Sequence, residues 1–532
     1  MIDLLYPISY LVSLSGLIGW FYVQDNKRSS RMMSKLFLGG FFAYLVSLGM
    51  AQGELQYKLF VLFRDLIVLG VVSQFFSFFR KNKVLFFGLL FALYGLFSIK
   101  GMPFMQATFP EVTPAEKDNQ PADTTSSTTN SSNDSFNAKL DSKGELLVEI
   151  KEGHTIKDIQ SVLDQYHIDY KRAFYPSQSE FTDLDDFYVL NIPNNQLGNL
   201  AAIEKALYGT VMVDWVEENE EIKISPIESE ALTKPVKQKY GINDPGLELM
   251  WGFDAMGIDQ LYKSIKEGKI KPERKAVIAI LDTGVDAKHE DLAGNYKSTR
   301  TKYDKDTQGH GTHCAGIAGA VSNNAIGVAS FSQNNEFVQI TSIPVLNSFG
   351  MGTQKSIIDG IIEAADNKVD VISMSLGGRS NPTKQKAYEK AIKYANDAGA
   401  IVIVAAGNSN DNAKNYAPAN VKGVITVSAI DEQLKRASFS NYVTDLEMGV
   451  AAPGVNIYST FPKNEYKTLN GTSMATPYVS GFVGVMKSIK PSLTTTEVYD
   501  ILQESGVGTN GTSETGKFIQ PGAAIGRITE SL

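Results

Sequence analysis

The sequence predicts an α/β protein with a doubly wound parallel sheet, preceded by a small α+β domain and by an apolar segment of four helices. Three observations support this prediction. From residue 243 onward, short Val- and Ile-rich runs alternate with amphipathic stretches of helical period. Ahead of them lies a shorter region of mixed strand and helix patterns, and the first hundred residues are mostly apolar. The length of 532 residues is also too great for one compact domain.

Composition excludes several classes of function. The net charge is −8, and no run of five or more Lys or Arg occurs, so we expect no binding of nucleic acid. Cys314 is the only cysteine, which excludes an intrachain disulfide and a zinc site built from cysteines. The chain has only 5 histidines, so a mechanism that depends on histidine has few possible locations. We expect no organic cofactor.

The N-terminal region, residues 1–105, is predicted to be a transmembrane segment of four helices. It contains four apolar runs, at residues 4–23, 36–51, 59–79 and 84–99. The third run spans only if Arg64 and Asp65 lie near one end or face the other helices. Basic residues collect after the first and third runs, so the positive-inside rule places all later residues outside the cytoplasm. A buried soluble core is the alternative. We therefore expect a multi-pass protein of the cell membrane that contacts the lipid bilayer.

A linker and a small domain follow. Residues 106–143 are rich in Ser, Thr and Asn without apolar periodicity, and are predicted to be a disordered linker. Residues 144–228 show strand and helix patterns in the order β-α-β-β-α-β, which predicts a ferredoxin-like unit. Its His154 and His167 are predicted to be ordinary surface or helix residues. A charged, proline-containing connector occupies residues 229–242.

The region of residues 243–532 carries the pattern of the doubly wound sheet. The predicted strands are "AVIAILDTG", "VQITSIPVL", "VDVISMSL", "AIVIVAAGN" and "GVITVSAI", and helical patterns such as "KSIIDGIIEAADN" lie between them. Several of these runs end in Asp, Asn, Ser or Gly. Ligands of such sheets bind off the carboxyl ends of the strands, so these polar residues are the candidates for a functional site.

Four side chains at such positions could carry chemistry. Asp282 ends the first strand, and taken alone it is better explained as a turn or helix cap. His310 opens a helix rich in Gly and Ala, with His313 three residues later. Zinc is conceivable for this pair, but the glutamate of a metalloprotease helix and a third ligand are missing. Asn408 ends another strand and offers amide donors. Ser473 begins a helix.

These residues form a set that resembles the subtilase family of serine peptidases, closest to its thermitase-like branch. The matching stretches are "AILDTGVDAKHEDLAG", "GHGTHCAGIAGAVSNNAIGVA", "MSLGG", "VIVAAGN", "AAPG" and "LNGTSMATP", in family order over about residues 243–490. The resemblance implies a subtilisin-like fold and a serine endopeptidase. It assigns Ser473 as nucleophile, His310 as general base and Asp282 as the residue that orients the base. It implies that the Asn408 side chain and the Ser473 backbone N–H bind the oxyanion.

The resemblance also implies how peptides bind. Substrates would be proteins or peptides that add as a strand to the cleft. The positions that match the family's cleft are Ser375, Leu376 and Gly377, which line the first specificity pocket, and Gly350 and Gly352 on the facing edge. No acidic residue clearly enters the pocket, so we expect a broad or neutral-apolar preference.

A structural calcium ion is a further implication. The positions that match the family's strong calcium site are Asp244, Asp291, Val321, Asn324, Ile326 and Val328. They would supply carboxylate, amide and backbone carbonyl oxygens, which are the ligands that Ca²⁺ prefers. The alternative is a plain turn followed by a capped loop.

Family architecture implies that residues 144–228 are a propeptide that assists folding and inhibits the cleft within the same chain. We expect a zymogen that cleaves itself between about residues 224 and 240. Tyr478 replaces a histidine that is common in the family but is outside the triad, and some twenty extra residues before the first catalytic strand predict a surface helix. A membrane receptor or scaffold that only binds peptides is the alternative function, against which the complete catalytic set argues.

Overall fold

A computed structural model describes residues 2–23, 27–50, 144–224, 226–229, 240–382 and 385–530, with scattered positions between 61 and 89. The chain divides into two compact units, residues 1–131 and 132–532. The predicted linker lies outside the described residues. The finer division into domains within the second unit stays a prediction.

The N-terminal unit contains two long helices, α1 (Ile2–Val23) and α2 (Lys27–Met50). They approach closely, since a Cβ on Gly16 would lie 2.4 Å from the backbone nitrogen of Phe37. Among the described residues, none of the helices combines the length and the apolar character needed to cross a bilayer. The predicted four-helix transmembrane segment is therefore not supported, and its third and fourth runs lie largely outside the described residues.

Residues 144–218 fold into a four-stranded antiparallel sheet with two helices. The elements are β1 (Glu145–Ile150), α3 (Gln160–Tyr166), β2 (Asp169–Arg172), β3 (Phe187–Asn191), α4 (Leu200–Tyr208) and β4 (Val213–Glu218). The strand order is β2-β3-β1-β4. Alternate residues of each strand face opposite sides of the sheet. Leu146 and Val148 therefore pack against α3 and α4, whereas Leu147 joins the apolar core beneath the larger sheet.

Seven parallel strands form the larger sheet, which confirms the predicted α/β fold. They are β7 (Ala276–Asp282), β8 (Val338–Pro344), β10 (Val371–Met374), β12 (Ile401–Ala405), β14 (Val424–Ile430), β15 (Gly449–Pro453) and β18 (Lys517–Phe518). Their order is β18-β15-β14-β12-β10-β7-β8. The direction in which successive strands are added reverses at β7, and ligands of doubly wound sheets bind beside such a reversal.

In the described part of the chain, short strands outside this sheet form three smaller sheets. They are β5 (Glu221–Lys223), β6 (Ile227–Glu228), β9 (Met351–Thr353), β11 (Gly378–Arg379), β13 (Tyr416–Ala417), β16 (Ile457–Phe461) and β17 (Glu465–Asn470). The two strands β5 and β6 follow the small domain, yet each pairs with a strand of the larger domain, β9 and β17 respectively.

Helices cover both faces of the sheet. They are α5 (Trp251–Ala255), α6 (Ile258–Glu267), α7 (His310–Gly319), α8 (Gln354–Asp366), α9 (Lys386–Asp397), α10 (Thr472–Ile489), α11 (Thr495–Ser505), α12 (Thr512–Thr515) and α13 (Pro521–Glu530). On β7, Ile278 and Ile280 face the core that contains α7 and α10, whereas Ala279 and Leu281 face the core that contains α8 and α9. Burial on both faces explains the nearly continuous apolar runs in the sequence.

The extra residues before β7 form α6, which is not only a surface helix. Ile258, Leu261 and Tyr262 on one face of this helix are buried. The Tyr262 hydroxyl donates a hydrogen bond to the backbone carbonyl of Ser330. The helix is therefore part of the core of the catalytic region.

Candidate active site

The candidate catalytic residues meet at the carboxyl edge of the large sheet. Asp282 is the last residue of β7, and Asn408 comes three residues after β12. His310 and Ser473 lie at the N-terminal ends of α7 and α10. A cavity of about 340 Å³ is lined by His310, Asn408 and Ser473 together with residues 375–377. Residues far apart in the sequence are thus brought to one site.

Asp282 and His310 form a buried hydrogen-bonded pair. Nδ1 of His310 lies 2.8 Å from Oδ1 and 2.9 Å from Oδ2 of Asp282. Burial lowers the pKa of His310, but the Asp282 carboxylate is the main cause that raises it, and the pKa lies well above its usual range. Because Nδ1 faces a carboxylate, Nδ1 carries a proton. In the neutral ring, Nε2 is then the proton acceptor.

The start of α7 is held against the strand that carries Asp282. A Cβ on Gly311 would lie 2.1 Å from the carbonyl oxygen of Gly284, so only glycine permits this close approach. The carboxylate of Asp306 accepts five hydrogen bonds of 2.7–3.1 Å, from Gln308, Gly309, Thr283 and Thr312. These bonds link the first turn of α7 to the loop after Asp282. The position of His310 relative to Asp282 is therefore fixed from both sides.

Ser473 lies in the first turn of α10, close to the backbone of residues 375–377. Its hydroxyl donates to the carbonyl oxygen of Ser375 at 3.2 Å, and the Ser375 hydroxyl donates to the carbonyl oxygen of Ser473 at 2.7 Å. In this arrangement the Ser473 hydroxyl is directed to Ser375, and Ser473 and His310 line the same cavity. For catalysis this hydroxyl must turn from Ser375 to the imidazole. Such bonds are often not formed before substrate binds.

Asn408 is oriented by the residue that precedes Ser473. Its Oδ1 accepts hydrogen bonds of 2.9 Å from the backbone N–H and from the hydroxyl of Thr472. A Cβ on Gly471 would lie 3.4 Å from Nδ2 of Asn408 and 3.5 Å from the backbone nitrogen of Ser473. The space that Gly471 leaves open is thus flanked by two N–H donors. A negatively charged oxygen there would receive hydrogen bonds from both.

His313 and Cys314, which lie near His310 on α7, are packed in the core rather than placed for catalysis. Nε2 of His313 lies 3.0 Å from the carbonyl oxygen of Lys467, and burial lowers the pKa of His313 to about 3. The His313 ring is therefore neutral. Its Nε2 faces a backbone carbonyl, not a metal site that it would share with His310. The Cys314 thiol is buried, 3.5 Å from the carbonyl oxygen of Ser473, and burial raises its pKa. Cys314 therefore packs behind the site as an uncharged thiol.

The segment after the small domain lies in the cleft on both sides of Ser473. On one side β5 pairs antiparallel with β9, and the backbone N–H of Ile224 donates to the carbonyl oxygen of Gly350 at 2.9 Å. Ile222 pairs with Gly352 and approaches Gly378 on the facing edge. On the other side β6 pairs antiparallel with Leu469 and Asn470 of β17. Between these two pairings, Ile224 and Pro226 line the same cavity as Ser473.

Side chains of the small domain bind the N-terminal ends of α8 and α9. Glu217 accepts from the backbone N–H groups of Lys386 at 2.9 Å and Ala387 at 3.2 Å, and from the Gln354 side chain at 2.8 Å. Asn219 accepts from the backbone N–H of Lys355 at 2.9 Å. Helix N-termini have unpaired N–H groups and a partial positive charge. A carboxylate and an amide oxygen therefore complement them.

The predicted calcium-binding residues form a compact polar loop. Asp244 accepts from the backbone N–H groups of Asn323 and Asn324 at 2.7 and 3.1 Å. Asp291 is fully buried and accepts from the Val328 N–H at 2.7 Å and from the Asn324 amide at 2.8 Å. Backbone atoms of residues 321–328 surround the two carboxylates, and burial raises the pKa of Asp291 to about 7. Apart from the N–H groups, Asp291 has only the Tyr466 hydroxyl as a hydrogen-bond donor among the described residues.

Tyr478, which replaces the histidine common in the family, is a core residue. Its side chain is 1% exposed, and its ring packs against Phe253 and Phe331. It lies five residues after Ser473 on α10, all of whose residues are buried. Position 478 therefore holds a packing residue of the aromatic cluster with Phe253 and Phe331.

Sequence reasoning missed three residues of the site. Asp306, Thr472 and Tyr416 hold or line it, but only their positions in the fold reveal this. For Asp306 a local signal existed, since an acidic residue just before a helix is a common cap. Thr472 and Tyr416 carried no comparable signal.

Comparisons with known proteins give a consistent result. Residues 273–517 match the model of the subtilase family, peptidase S8. Thermitase of Thermoactinomyces vulgaris is 43% identical over 218 residues, which cover 40% of this chain and 75% of thermitase. Subtilisin DY of Bacillus licheniformis is 42% identical over 235 residues, 43% of this chain and 82% of that protein. A solved protease structure from Pseudoalteromonas arctica is 28% identical, covers 56% of this chain and all of its own, and has a TM-score of 0.47.

Proposed function

Because the chain belongs to the subtilase family and is a subtilisin-like serine endopeptidase, we propose that Asp282, His310 and Ser473 are its catalytic triad. The observation that carries this assignment is the buried pair of Asp282 and His310 in one cavity with Ser473. Such a pair supplies a base in a defined tautomer beside a nucleophile.

The first chemical step forms an acyl-enzyme. The Ser473 hydroxyl turns from the Ser375 carbonyl to Nε2 of His310, gives up its proton, and attacks the carbonyl carbon of the substrate. His310 then carries a positive charge next to Asp282, which stabilises it. The imidazolium gives the proton to the leaving amine, the C–N bond breaks, and a water molecule later releases the acyl group by the same route.

The oxyanion of each intermediate is held by Asn408 and by the Ser473 backbone N–H. The orientation of Asn408 supports this role, because Thr472 occupies its oxygen and leaves Nδ2 as the group that faces the open space at Gly471. A donor that is fixed before the reaction needs no reorganisation when the charge develops.

Substrates bind as an extended strand between β9 and residues 375–378. The backbone pairing of β5 with β9, including Gly350 and Gly352, supports this mode, because any peptide backbone can make the same hydrogen bonds. Pairing of β6 with β17 extends the binding surface to the other side of Ser473. Ser375, Leu376 and Gly377 border the pocket between the two sides.

The enzyme is made as a zymogen in which the small domain is the intramolecular inhibitor. In support, its final strands occupy the cleft and its Glu217 binds α9. Pro226, which follows Ser225 in the sequence, lines the same cavity as Ser473. The Ser225–Pro226 bond is a poor substrate, since the ring replaces the N–H and fixes φ. Self-cleavage is therefore expected beyond residue 229, in the connector.

Asp244, Asp291 and Asn324 would hold a calcium ion together with backbone carbonyls of Val321, Ile326 and Val328. The donor set fits, because Asp244 and Asp291 come from two separate segments and are both hydrogen-bonded to the loop of residues 321–328, and Asp291 is buried opposite neutral donors only. A bound Ca²⁺ would supply the positive charge that this carboxylate lacks. Its role is to stabilise the fold rather than to take part in the reaction.

Labelling with a fluorophosphonate tests the assignment of the nucleophile. We expect covalent labelling of the wild-type chain after processing, and none of Ser473→Ala. The Cys314→Ala variant serves as a control and should still be labelled. An unlabelled, folded wild-type enzyme that binds peptides without cleaving them would instead support a receptor or scaffold.

A further inference from the structure

We propose that a lysine cleft at the end of α6, which contains Lys266, Lys269 and Lys271, binds a polymer that carries phosphate groups. The cleft belongs to the extra residues that precede β7, so no role for it follows from the family resemblance. None of the catalytic residues lines it, and the proposal is therefore independent of the proposed catalytic function.

Positive charge is concentrated in residues 263–275. This segment contains six cationic side chains and two glutamates, a net charge of +4, although the whole chain has a net charge of −8. All six cationic residues are exposed, namely Lys263, Lys266, Lys269, Lys271, Arg274 and Lys275. A dense positive region on an acidic protein directs anions to one part of the surface.

The lysine cleft has a volume of about 400 Å³ and lies between the end of α6 and the residues that precede β8. Charged and amide side chains line it, among them Lys266, Lys269, Lys271, Asn323, Asn334 and Glu336. Glu336 is the only carboxylate among the described residues of this lining. A phosphate group offers several acceptor oxygens, so ammonium and amide donors can bind it together.

The three lysines of the cleft lack the carboxylate partners that other exposed lysines have. Lys393 on α9, for example, forms an ion pair with Asp397. Among the residues that the structure describes, none forms an ion pair with a lysine of the cleft, and this includes Glu336. An anion that enters the cleft therefore does not have to displace a carboxylate of the protein.

The backbone at the end of α6 fixes the position of two of these lysines. Lys269 has a φ of +49°, the left-handed conformation in which glycine is common at the end of a helix. Its N–H donates to the carbonyl oxygen of Lys266 at 3.3 Å. The N–H of Ile270 donates to the carbonyl oxygen of Ile265 at 3.0 Å. Lys266 and Lys269 thus reach the cleft from a closed turn.

The positive charge extends beyond the lysine cleft, which favours a polymer over a single phosphate ion. Lys263 lies three residues before Lys266 on α6, and Lys275 directly precedes β7. A chain of phosphates can contact the cleft and both flanks, and such contacts add along one polymer. Phe337 is the only aromatic residue among the described residues of the lining, and it is buried. The cleft therefore offers no exposed ring on which a nucleic acid base could stack.

The lysine cleft and the catalytic residues lie at opposite ends of β7. The lysine-rich segment enters this strand at Ala276, and Asp282 ends it. Seven residues of strand extend over about 20 Å. A polymer bound at the amino end therefore leaves the substrate cleft open, and it holds the enzyme beside proteins that bind the same polymer.

Fluorescence anisotropy with fluorescein-labelled polyphosphate tests the proposal. The full chain is titrated at low and at high ionic strength as wild type, as a cleft variant and as a control variant. The cleft variant carries Lys266→Gln, Lys269→Gln and Lys271→Gln. The control removes the same charge from three other exposed positions, with Lys393→Gln, Lys422→Gln and Lys435→Gln. Thermal unfolding of each protein checks that it is folded.

We expect wild type and control to bind polyphosphate with similar Kd values. The cleft variant should bind roughly 10–100-fold more weakly, since each exposed ion contact contributes a factor of up to about five. Salt should weaken the binding of wild type more steeply than that of the cleft variant. Labelling by the fluorophosphonate should be the same in all three proteins, with and without polyphosphate.

The proposal is overturned if the folded cleft variant binds polyphosphate as tightly as the control, or if wild type does not bind it at low ionic strength. Binding to phosphatidylglycerol vesicles through the same lysines, without binding to polyphosphate, also overturns it, because the ligand is then a lipid surface. Tighter binding of a single-stranded oligonucleotide than of polyphosphate has the same consequence. Failure of the proposed catalytic function abolishes labelling but leaves the binding of polyphosphate unchanged.

Discussion

Asp282 and Asp291 are two fully buried carboxylates in the same domain, and they face different partners. Asp282 binds the imidazole of His310, which can accept a positive charge. Asp291 binds backbone and side-chain amides and a tyrosine hydroxyl, which remain neutral. A buried charge is costly unless a group of opposite charge compensates it. The first carboxylate is therefore suited to stabilising a charge that appears during a reaction, and the second to holding a permanent cation.

The largest expected effect comes from removing the charge of Asp282. Asp282→Asn should lower kcat by about 10⁴-fold, because the amide permits the wrong tautomer of His310 and does not stabilise the imidazolium. Steady-state kinetics on a peptide substrate would measure this loss. Asp291→Asn is the matched control, and its kcat in the presence of calcium should stay close to that of wild type. Equal losses in the two variants would contradict the distinction between the two carboxylates.

Asp282→Asn should also change the pH dependence of kcat/KM. His310 acts as a base only when it is neutral, so kcat/KM should rise as the pH increases through the pKa of His310 in the free enzyme. The Asp282 carboxylate raises this pKa well above 6.5, so the rise in wild type should occur above pH 6.5. In Asp282→Asn the rise of the residual activity should move to lower pH. An unchanged inflection would mean that another group controls it.

A smaller loss is expected when the oxyanion donor is removed. Asn408→Leu should lower kcat by ~10²–10³-fold with little change in KM, since the hydrogen bond forms to a charge that exists only after attack. Thr472→Val tests the orientation of the same side chain, because it removes the hydroxyl that binds Oδ1 but keeps the backbone N–H. Its loss should be clearly smaller. A KM effect alone in Asn408→Leu would argue against the assignment.

Asp306 extends the comparison to a third buried carboxylate, which orients the helix of His310 rather than the imidazole itself. Asp306→Asn keeps one acceptor oxygen but disturbs the bonds to Thr312. We expect kcat to fall by roughly 10-fold, since small displacements of a catalytic group are costly. The pH at which kcat/KM rises should stay that of wild type. Glu248→Gln, which changes an exposed carboxylate in the same way, serves as a control.

The smallest effect on turnover, and the clearest effect on stability, is expected at the calcium loop. A chelator should lower the thermal midpoint of wild type by roughly 5–10 °C, as a ligand present at about 100 times its Kd contributes about 2.7 kcal/mol. Added Ca²⁺, but not Mg²⁺, should restore it. In Asp291→Asn the midpoint should no longer respond to calcium. Identical curves for wild type with and without chelator would contradict a calcium site.

Part of this site follows from the sequence, because Asp282 ends a strand and Asn408 follows one closely. The runs that precede Asp282 and Asn408 are continuous and apolar, since both faces of these strands are covered by helices. The residue after such a strand lies at the carboxyl edge whatever the rest of the fold is. The fold of the catalytic region and its candidate residues could therefore be predicted from sequence patterns and from the family resemblance.

Other features depend on contacts between distant parts of the chain. The pairing of residues 221–223 with β9 is not a property of either segment, because a short alternating strand can pair with any free edge. The ring of Tyr416 reaches the cavity only because β13 pairs with β11. In the N-terminal unit, apolar runs predicted spanning helices, and the described helices do not bear this out. Apolar composition alone does not specify what surrounds a helix.

The pairing of residues 221–223 with β9 and of residues 227–228 with β17 has a consequence for the proteins that this enzyme can cut. A substrate of eight residues in a fully extended strand covers about 26 Å, and to make both pairings it must lie along the two edges at once. A helix of eight residues is only about 12 Å long, so it would have to unwind by two turns to fit. We expect the enzyme to discriminate by local order, leaving compact proteins intact and cutting chains where folding has failed or has not yet occurred.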